Sequence, residues 1–517
     1  MMQSENATPR SPQDAAASMG IFEGSPLLTA AEMRAAEAEA IAGGTPGLVL
    51  MERAAQAVVA AVQAHWPELG PGSRVCVLCG PGGNGGDGYA VARQLAARGW
   101  TVELHALAPA GQADAAAQAA LWAGMGAIGD WDGTTGAVRR ADLVIDALFG
   151  LGLTRPLDAR LEPVLDAGAQ RVLAIDLPSG LCSDSGRALG GRCFDADLTV
   201  SFHAPKRGHV LAEGPARCGS LDIRDIGLER TEAAVRLTQP PEGLGKRSGH
   251  KYGYGHALVL SGGVGRGGAA RMAARAALRI GAGLVTMACP AAALQENAAR
   301  LDAVMLRRLR DRAALDEMLE DERLNALLLG PGLGVRTRER DLVASALAAR
   351  RSTVLDADAL SLVAQDSELR AGLHGGCLLT PHDGEFARLF PDLADRLKEE
   401  ANAGPAFSRV DAAREAAARA GCAVLLKGPD TVIAAPDGRM RVNAGVYGRA
   451  APWLATAGAG DVLAGMAAGL MARGWPGFEA GCDAAWLHVA AARRFGPGLI
   501  AEDLPEQLSG LMREMGL

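Results

Sequence analysis

Short unbroken apolar runs recur along the chain, separated by Ala-rich segments with helical spacing. In the first half the runs are Arg74-Val-Cys-Val-Leu-Cys79, Asp142-Leu-Val-Ile-Asp146 and Arg171-Val-Leu-Ala-Ile-Asp176. In the second they are Ala257 to Ser261, Asn325 to Gly330, Thr353 to Asp356, Cys377 to Thr380 and Ala423 to Lys427. Runs this short, bounded by glycine, proline or a carboxylate, read as buried strands. Between them Thr29-Ala-Ala-Glu32 is a capping box opening a helix, and further helices are expected over Leu48 to Ala64, Tyr89 to Arg98 and up to Arg279. Alternation of strand and helix predicts an α/β fold. The pattern breaks from about Arg230 to Ser248, where proline and charge gather, and then restarts. That predicts domains at 26–234 and 247–517, a linker at 235–246, and a disordered polar tail at 1–25. No residue-level repeat relates the halves, so fusion is expected rather than duplication.

Composition narrows the class. At 517 residues the chain exceeds one ordinary core, and 49% apolar with 21% charged residues is globular. Aromatics at 4% and 67 glycines suit close-packed helices on parallel strands with glycine loops. A net charge of -7 gives no support for nucleic-acid binding. Nine scattered cysteines, an odd number, fit a reducing cytoplasm. Cys76-x-x-Cys79 lies on an expected strand with no second pair, so buried thiols are expected there rather than zinc. The N-terminus has no apolar signal-peptide core, and no apolar run is expected to approach the roughly 20 residues of a membrane span.

The glycine loops add chemistry. Gly80-Pro-Gly-Gly-Asn-Gly-Gly-Asp-Gly88 follows a strand and precedes a helix, the arrangement that holds a pyrophosphate, and Gly80, Gly82 and Gly85 satisfy G-x-G-x-x-G. The ribose-binding acid of a dehydrogenase is missing, since the one candidate, Glu103, lies inside the next strand. Asn84 and Asp87 are polar groups that a plain pyrophosphate turn does not need. Asn84, Asp146 and Ser179, all at strand ends, could present oxygens to a weakly held hard cation, or each could cap its own loop. In the second half Thr456-Ala-Gly-Ala-Gly-Asp461 opens onto an apolar helix. Its N–H groups would suit a phosphate and Asp461 could act as a base, or Asp461 could simply cap the helix. Lys427 could reach a phosphate or be a solvated strand-end lysine, and Thr431 could donate its hydroxyl. His382 could be a site residue or a buried structural one.

Gly83-Asn-Gly-Gly-Asp87, Asp146-Ala-Leu-Phe-Gly150, Asp176-Leu-Pro-Ser-Gly180 and Phe202-His-Ala-Pro-Lys206 resemble the YjeF N-terminal domain, the NAD(P)H-hydrate epimerase. The resemblance implies a Rossmann-like three-layer domain that interconverts the 6R and 6S hydrates of NADH and NADPH (NADHX and NADPHX). It implies substrate contacts at Gly83, Asn84, Gly85, Gly86 and Asp87, then at Gly150, Leu151, Gly152, Leu153, Thr154, Arg155 and Pro156, and at Asp176. It also implies K+ held by Asn84, Asp146 and Ser179, and Asp176 is the expected catalytic carboxylate. Gly83 departs from the family's usual Asn. Gly332-x-Gly334, Asp356-Ala-Asp358, Thr380-Pro-His-x-Gly-Glu385, Lys427-Gly-x-x-Thr431, Asn443 and Gly458-Ala-Gly-Asp461 resemble the YjeF C-terminal domain, the ribokinase-like ADP/ATP-dependent NAD(P)H-hydrate dehydratase. Here the likeness implies catalysis by Asp461, substrate near Ala269, Gly332, His382 and Asp461, and ADP at Lys427, Gly428, Pro429, Asp430, Thr431 and Gly460, with Mg2+ assisting. Ala457, Ala459 and Ser361 depart slightly from the family pattern. A small-molecule kinase fused to a nucleotide-binding domain would share the base and the anion site, but has no expected need of Thr380-Pro-His-x-Gly-Glu385. The resemblance thus implies small-molecule substrates in a cytoplasmic homo-oligomer, with neither nucleic acid nor membrane as partner.

Overall fold

The structure, a computed structural model, describes residues 23–517, so the expected tail lies outside it but for its last three positions. The chain forms two compact units. One runs to Ala234 and also includes Glu400–Ser408; the other comprises Val235–Glu399 and Arg409–Leu517.

The first unit is built on seven strands: β1 (Arg74–Cys79), β2 (Thr101–Ala106), β3 (Ile128–Gly129), β4 (Leu143–Ala147), β5 (Val172–Ile175), β6 (Leu198–Phe202) and β7 (Ser220–Arg224). Their order is β3-β2-β1-β4-β5-β6-β7, and all neighbours are parallel. Successive residues of β1 face opposite layers, as strand geometry requires. Val75, Val77 and Cys79 join the core under helices Gly47–His65 and Gly83–Ala97. Cys76 and Leu78 join the core under helices Thr134–Arg140 and Glu162–Leu165. Both thiols are buried, and burial pushes Cys76 up to about 12. The chain winds outward from β1 to β3 and returns to the other side of β1 at β4, so a crevice opens over the carboxyl ends of β1 and β4.

The second unit has ten strands: β8 (Val235–Leu237), β9 (His256–Leu260), β10 (Leu284–Cys289), β11 (Met305–Arg308), β12 (Ala326–Leu329), β13 (Ser352–Leu355), β14 (Cys377–Leu379), β15 (Ala423–Leu426), β16 (Asp430–Ala434) and β17 (Met440–Ala444). They lie in the order β11-β10-β9-β12-β13-β14-β15-β16-β17-β8, antiparallel only around β16. The switch point lies between β9 and β12. Ala257 and Val259 pack under helices Gly268–Arg279, Ala459–Ala472 and Gly477–Phe495, while Leu258 and Leu260, facing the other way, are equally buried. Helix Ala459–Ala472 comes so close to Gly268–Arg279 that a Cβ at Gly465 would stand 2.2 Å from the Ala273 carbonyl oxygen. This contact fixes the helix that carries Asp461.

Three expectations change. The helix after β1 begins at Gly83 and not Tyr89, so most of the glycine run is its first turn. The supposed linker at 235–246 starts with β8, which pairs with β17, and its Leu244 is buried in the second core. Helix Gly47–His65 is, by length and composition, apolar enough to cross a membrane. It nevertheless buries Ala55, Val58 and Val62 in the first core, and its Glu52 pairs with Arg93 and accepts from Gln118.

Candidate active sites

A cavity of about 480 Å3 lies over the first switch point. Gly83, Asn84 and Asp87 line it from the first turn of their helix, Leu148 to Leu153 from the loop after β4, Asp176 from the end of β5, and Glu37 from the N-terminal helix. Helix Gly83–Ala97 is N-capped by Gly82 without a side-chain bond, which leaves N–H groups for an anion. A Cβ at Gly150 would stand 3.1 Å from both Asn84 Oδ1 and Asp176 Oδ2. The amide, the carboxylate and this glycine therefore converge on one point.

Asp176 is held from behind. Its backbone is left-handed (φ 66°), its Oδ1 accepts from Ser201 Oγ at 2.8 Å, and Lys206 Nζ stands 3.0 Å away. Lys206 is wholly buried and also donates to Ser201 Oγ and the Phe202 carbonyl. His209 Nδ1 accepts from the Lys206 N–H and Nε2 donates to the Asp176 carbonyl, each in the neutral ring, and burial lowers its pKa to about 4. Burial alone would raise Asp176, but Lys206, His209 and the two hydrogen bonds prevail and hold it below the usual carboxylate range. Asp87 goes the other way: burial, then Glu37 and Asp176, push it well above that range. Glu37 is raised too, by burial and by Asp176.

Asp146 and Ser179 meet directly. The buried Asp146 accepts from Ser179 N (2.7 Å), Ser179 Oγ (2.6 Å) and Leu148 N (3.2 Å), and burial lifts it to about 6 against those bonds. Among the described residues no basic side chain pairs with it. Asn84 Nδ2 is buried without a partner.

Not every expected residue faces the cavity. A Cβ at Gly85 would stand 1.9 Å from the Gly80 carbonyl, and one at Gly86 would stand 2.8 Å from Met51 Cε, so these glycines serve packing. Thr154, Arg155 and Pro156 lie beyond the lining, and Glu103 pairs with Arg140 at the surface. Ser201, His209 and Glu37 belong to none of the motifs quoted above, and Lys206 stands in one of them without an expected role. The available signal was a lysine and a histidine three residues apart, directly after an apolar strand.

In the second unit Asp356, at the end of β13, is buried and its Oδ1 accepts from Lys427 Nζ and Thr380 Oγ1, both at 2.8 Å. Lys427 Nζ lies 3.8 Å from Glu385 Oε2 and would be 3.3 Å from a Cβ at Gly460. The solvated reading of Lys427 therefore fails. It is an interior cation between β13, helix Asp383–Leu389 and the start of helix Ala459–Ala472. That last helix is N-capped by Gly458 (φ 91°) with no side-chain bond, so Asp461, in its first turn, is not the cap. Burial, then Asp356, raise Asp461 to about 6 against Lys427, with Glu385 and Asp358 adding to the rise.

Gly332 (φ 64°) touches the opposite loop: a Cβ there would stand 2.5 Å from the Arg266 carbonyl and 3.8 Å from Ala269 Cβ. His382 is exposed, which excludes a buried structural role. It caps helix Asp383–Leu389, with Nδ1 accepting from Gly384 N and Glu385 accepting from His382 N. One expectation is corrected: the Thr431 hydroxyl is used inside its own turn, accepting from Gly428 N and donating to the Gly428 carbonyl at 2.6 Å. Asp430 pairs with Arg409, and Pro429 accepts from Gly445 N, so this turn can offer a ligand only its backbone and Lys427. Asn443 is buried between Thr238 and the Ala485 carbonyl.

Residues 47–208 match the family model described as YjeF-related protein N-terminus, and 257–511 that described as NAD(P)H-hydrate dehydratase. The curated bifunctional NAD(P)H-hydrate repair enzyme Nnr of Moorella thermoacetica is 36% identical over 95% of this chain and 97% of its own. The chain belongs to the bifunctional NAD(P)H-hydrate repair enzyme family. The relatives of the same name from Gloeobacter violaceus and Salinibacter ruber are 35% and 36% identical, covering 90% and 95% of this chain and 92% and 96% of their own. A solved Bacillus subtilis ADP/ATP-dependent NAD(P)H-hydrate dehydratase, co-crystallized with ATP/Mg2+, is 27% identical over 53% of this chain and 94% of its own, with a TM-score of 0.43. Within the repair-enzyme family frame each matched segment contains one switch point and most of its polar cluster, with Glu37 and His209 falling outside the first segment.

Proposed function

We propose that the first unit interconverts the 6R and 6S hydrates of NADH and NADPH, and that the second returns the 6S hydrate to the dinucleotide with ADP, releasing AMP and phosphate. The observation that carries this is Asp461 in the uncapped first turn of a helix, sharing one cluster with Lys427. Hydroxide leaves C6 of the hydrated ring poorly and phosphate leaves it well. Asp461 takes the proton from the 6-hydroxyl as its oxygen attacks the terminal phosphorus of ADP, and AMP departs. The N–H groups at the helix start and Lys427 stabilise the charge on the transferring group. The ring nitrogen's lone pair then expels phosphate, and the resulting iminium loses a proton from C5 to solvent, which restores the C5=C6 bond of the reduced ring. At a pKa of about 6 Asp461 is ionised at neutral pH, yet basic enough for the task. Asp356, itself bonded by Thr380, and Glu385 hold Lys427, and Ala269, Gly332 and His382 border the substrate.

In the first unit Oδ2 of Asp176 faces the cavity as the base, since its other oxygen is tied to Ser201 and Lys206. Asp87, whose carboxyl is pushed well above the usual range by burial, then by Glu37 and Asp176, is the candidate acid on the same cavity. The donor set fits K+: a buried, cation-free Asp146, the Ser179 hydroxyl and the Asn84 amide would hold one positive charge without a multivalent cage. Bound there, K+ would supply counter-charge to the buried Asp146 carboxylate. No cluster of three or more acidic, His or Cys side chains able to hold a metal occurs among the described residues, so Mg2+ fits as an ion carried on the nucleotide's phosphates. Nine free cysteines accord with a cytoplasmic setting.

The test is to incubate mixed hydrate epimers with the protein and ADP while following nicotinamide absorbance and epimer exchange. Asp461→Asn should abolish recovery of absorbance and spare exchange, and Asp176→Asn should do the reverse. Loss of both activities in either variant would overturn the division of labour.

A further inference from the structure

The first unit contains nine residues that sequence order places far away, Glu400–Ser408, lying between helices Pro391–Lys398 and Arg409–Ala420. They sit on the loop that follows β4. Gly404 N donates to the Thr154 carbonyl at 3.0 Å, and a Cβ at Gly404 would stand 3.1 Å from the Leu153 carbonyl and 3.3 Å from Thr154 Cα. Ala401 and Ala406 form a small apolar cluster with Cys182 and Leu189, against which Leu153 packs. Further bonds fix the segment: Gly190 N donates to the Ala401 carbonyl at 2.9 Å, and Arg187 donates to the Phe407 carbonyl at 3.2 Å. Leu153 lines the cavity and Gly150 abuts Asn84 and Asp176, so one short loop has its inner end at the proposed chemistry and its outer end against this segment.

From this contact we infer that Glu400–Ser408 is a positioning element of the epimerase site, with Gly404 setting the height of the loop over the bound dinucleotide. The inference rests on the assignment of epimerisation to the first cavity. A loop of Gly150-Leu-Gly-Leu-Thr154 has little stiffness of its own, because its two glycines leave the backbone many conformations. Packing against Ala401, Gly404 and Ala406 removes that freedom. A shift of the order of an ångström at such a loop is enough to weaken its hold on the dinucleotide, while the base, fixed from behind by Ser201 and Lys206, stays in place.

The test uses the full-length chain. Gly404 has no left-handed φ to defend, so Gly404→Leu acts through bulk alone, pressing on Leu153 and Thr154. Its epimerisation should show a KM raised about tenfold, with kcat less affected. Dehydration of the pure 6S hydrate should stay at the wild-type rate, which also reports that the chain is folded. Gly404→Ala should give a smaller shift in the same direction. A second variant, Ala406→Asp, places a charge in the apolar cluster and should reproduce the KM effect without touching Gly404. Wild-type epimerisation is the control: its absence sinks the underlying assignment and not the positioning role. If the wild type epimerises and both Gly404→Leu and Ala406→Asp match its KM, or if epimerisation and dehydration fall together, the positioning role is overturned.

Discussion

At Asp461 function and stability pull apart. Its carboxyl is lifted to about 6 by burial and by Asp356, Glu385 and Asp358, against Lys427. The folded chain therefore binds a proton there more tightly than the unfolded chain does. Stability is lost as pH rises from the unfolded value through about 6, and the penalty is complete at neutral pH. A shift of that size has a ceiling of about 3 kcal/mol, and partial solvent access reduces it to about 1–2. Asp461→Asn should accordingly raise urea-unfolding stability by about 1 kcal/mol at pH 7, with the gain disappearing toward pH 4. The same protonation sets the acid limb of dehydration, which should fall below pH 6, and Lys427→Met should move that limb upward because Lys427 is the cluster's cation. A limb unmoved in Lys427→Met would remove Lys427 from the cluster's electrostatics. Asp461 and Lys427 were legible because each stands beside glycine at the edge of an apolar run, Lys427 where a strand ends and Asp461 where a helix begins. The ion pair of Asp176 with Lys206 was not, because that pairing depends on which loops meet in space; nor was the Thr431 hydroxyl, which its own turn takes up.

The first turn of helix Gly83–Ala97 shows how an element overrides local preference. Glycine is the poorest helix former after proline, so a run of them reads as loop. In the structure it is helical because strand and helix approach too closely for side chains. A Cβ would stand 1.9 Å from the Gly80 carbonyl at Gly85, 2.8 Å from Met51 Cε at Gly86 and 2.6 Å from Ala147 Cβ at Gly88. The substitution that best suits a helix in isolation should therefore do harm here. Gly85→Ala should cost about 2–4 kcal/mol in the unfolding of the first unit and abolish epimerisation while dehydration persists. A neutral Gly85→Ala would mean that the helix can lift from β1, and that the glycines are there for the ligand after all. Strand β8 escaped notice for a different reason: it is only three residues long, ahead of a proline-rich stretch, and its partner β17 lies some two hundred residues on in sequence.

Across the whole chain, the order of the two units and the boundary at Ala234 could be read from where the strand–helix rhythm stops and restarts. The return of Glu400–Ser408 to the first unit could not, since nothing in its composition separates it from an ordinary loop between helices. Each unit nonetheless carries its own chemistry. Asp87, Asp176 and Lys206 belong to the first, and Asp356, Lys427 and Asp461 to the second. If each carboxylate serves only its own sheet, the 6S hydrate must leave one site before it reaches the other, and solvent is a sufficient route. An equimolar mixture of full-length Asp176→Asn and Asp461→Asn should then repair the 6R hydrate with ADP, beyond uncatalysed exchange. Asp461→Asn alone should recover nothing, and Asp176→Asn alone only the 6S fraction. The rate in the mixture should rise with total protein, because the intermediate is shared through solution. A mixture that stalls on the 6R hydrate, while each variant keeps its remaining activity, would mean that the epimer passes within a single chain, and the joining of the two units would then have a kinetic purpose.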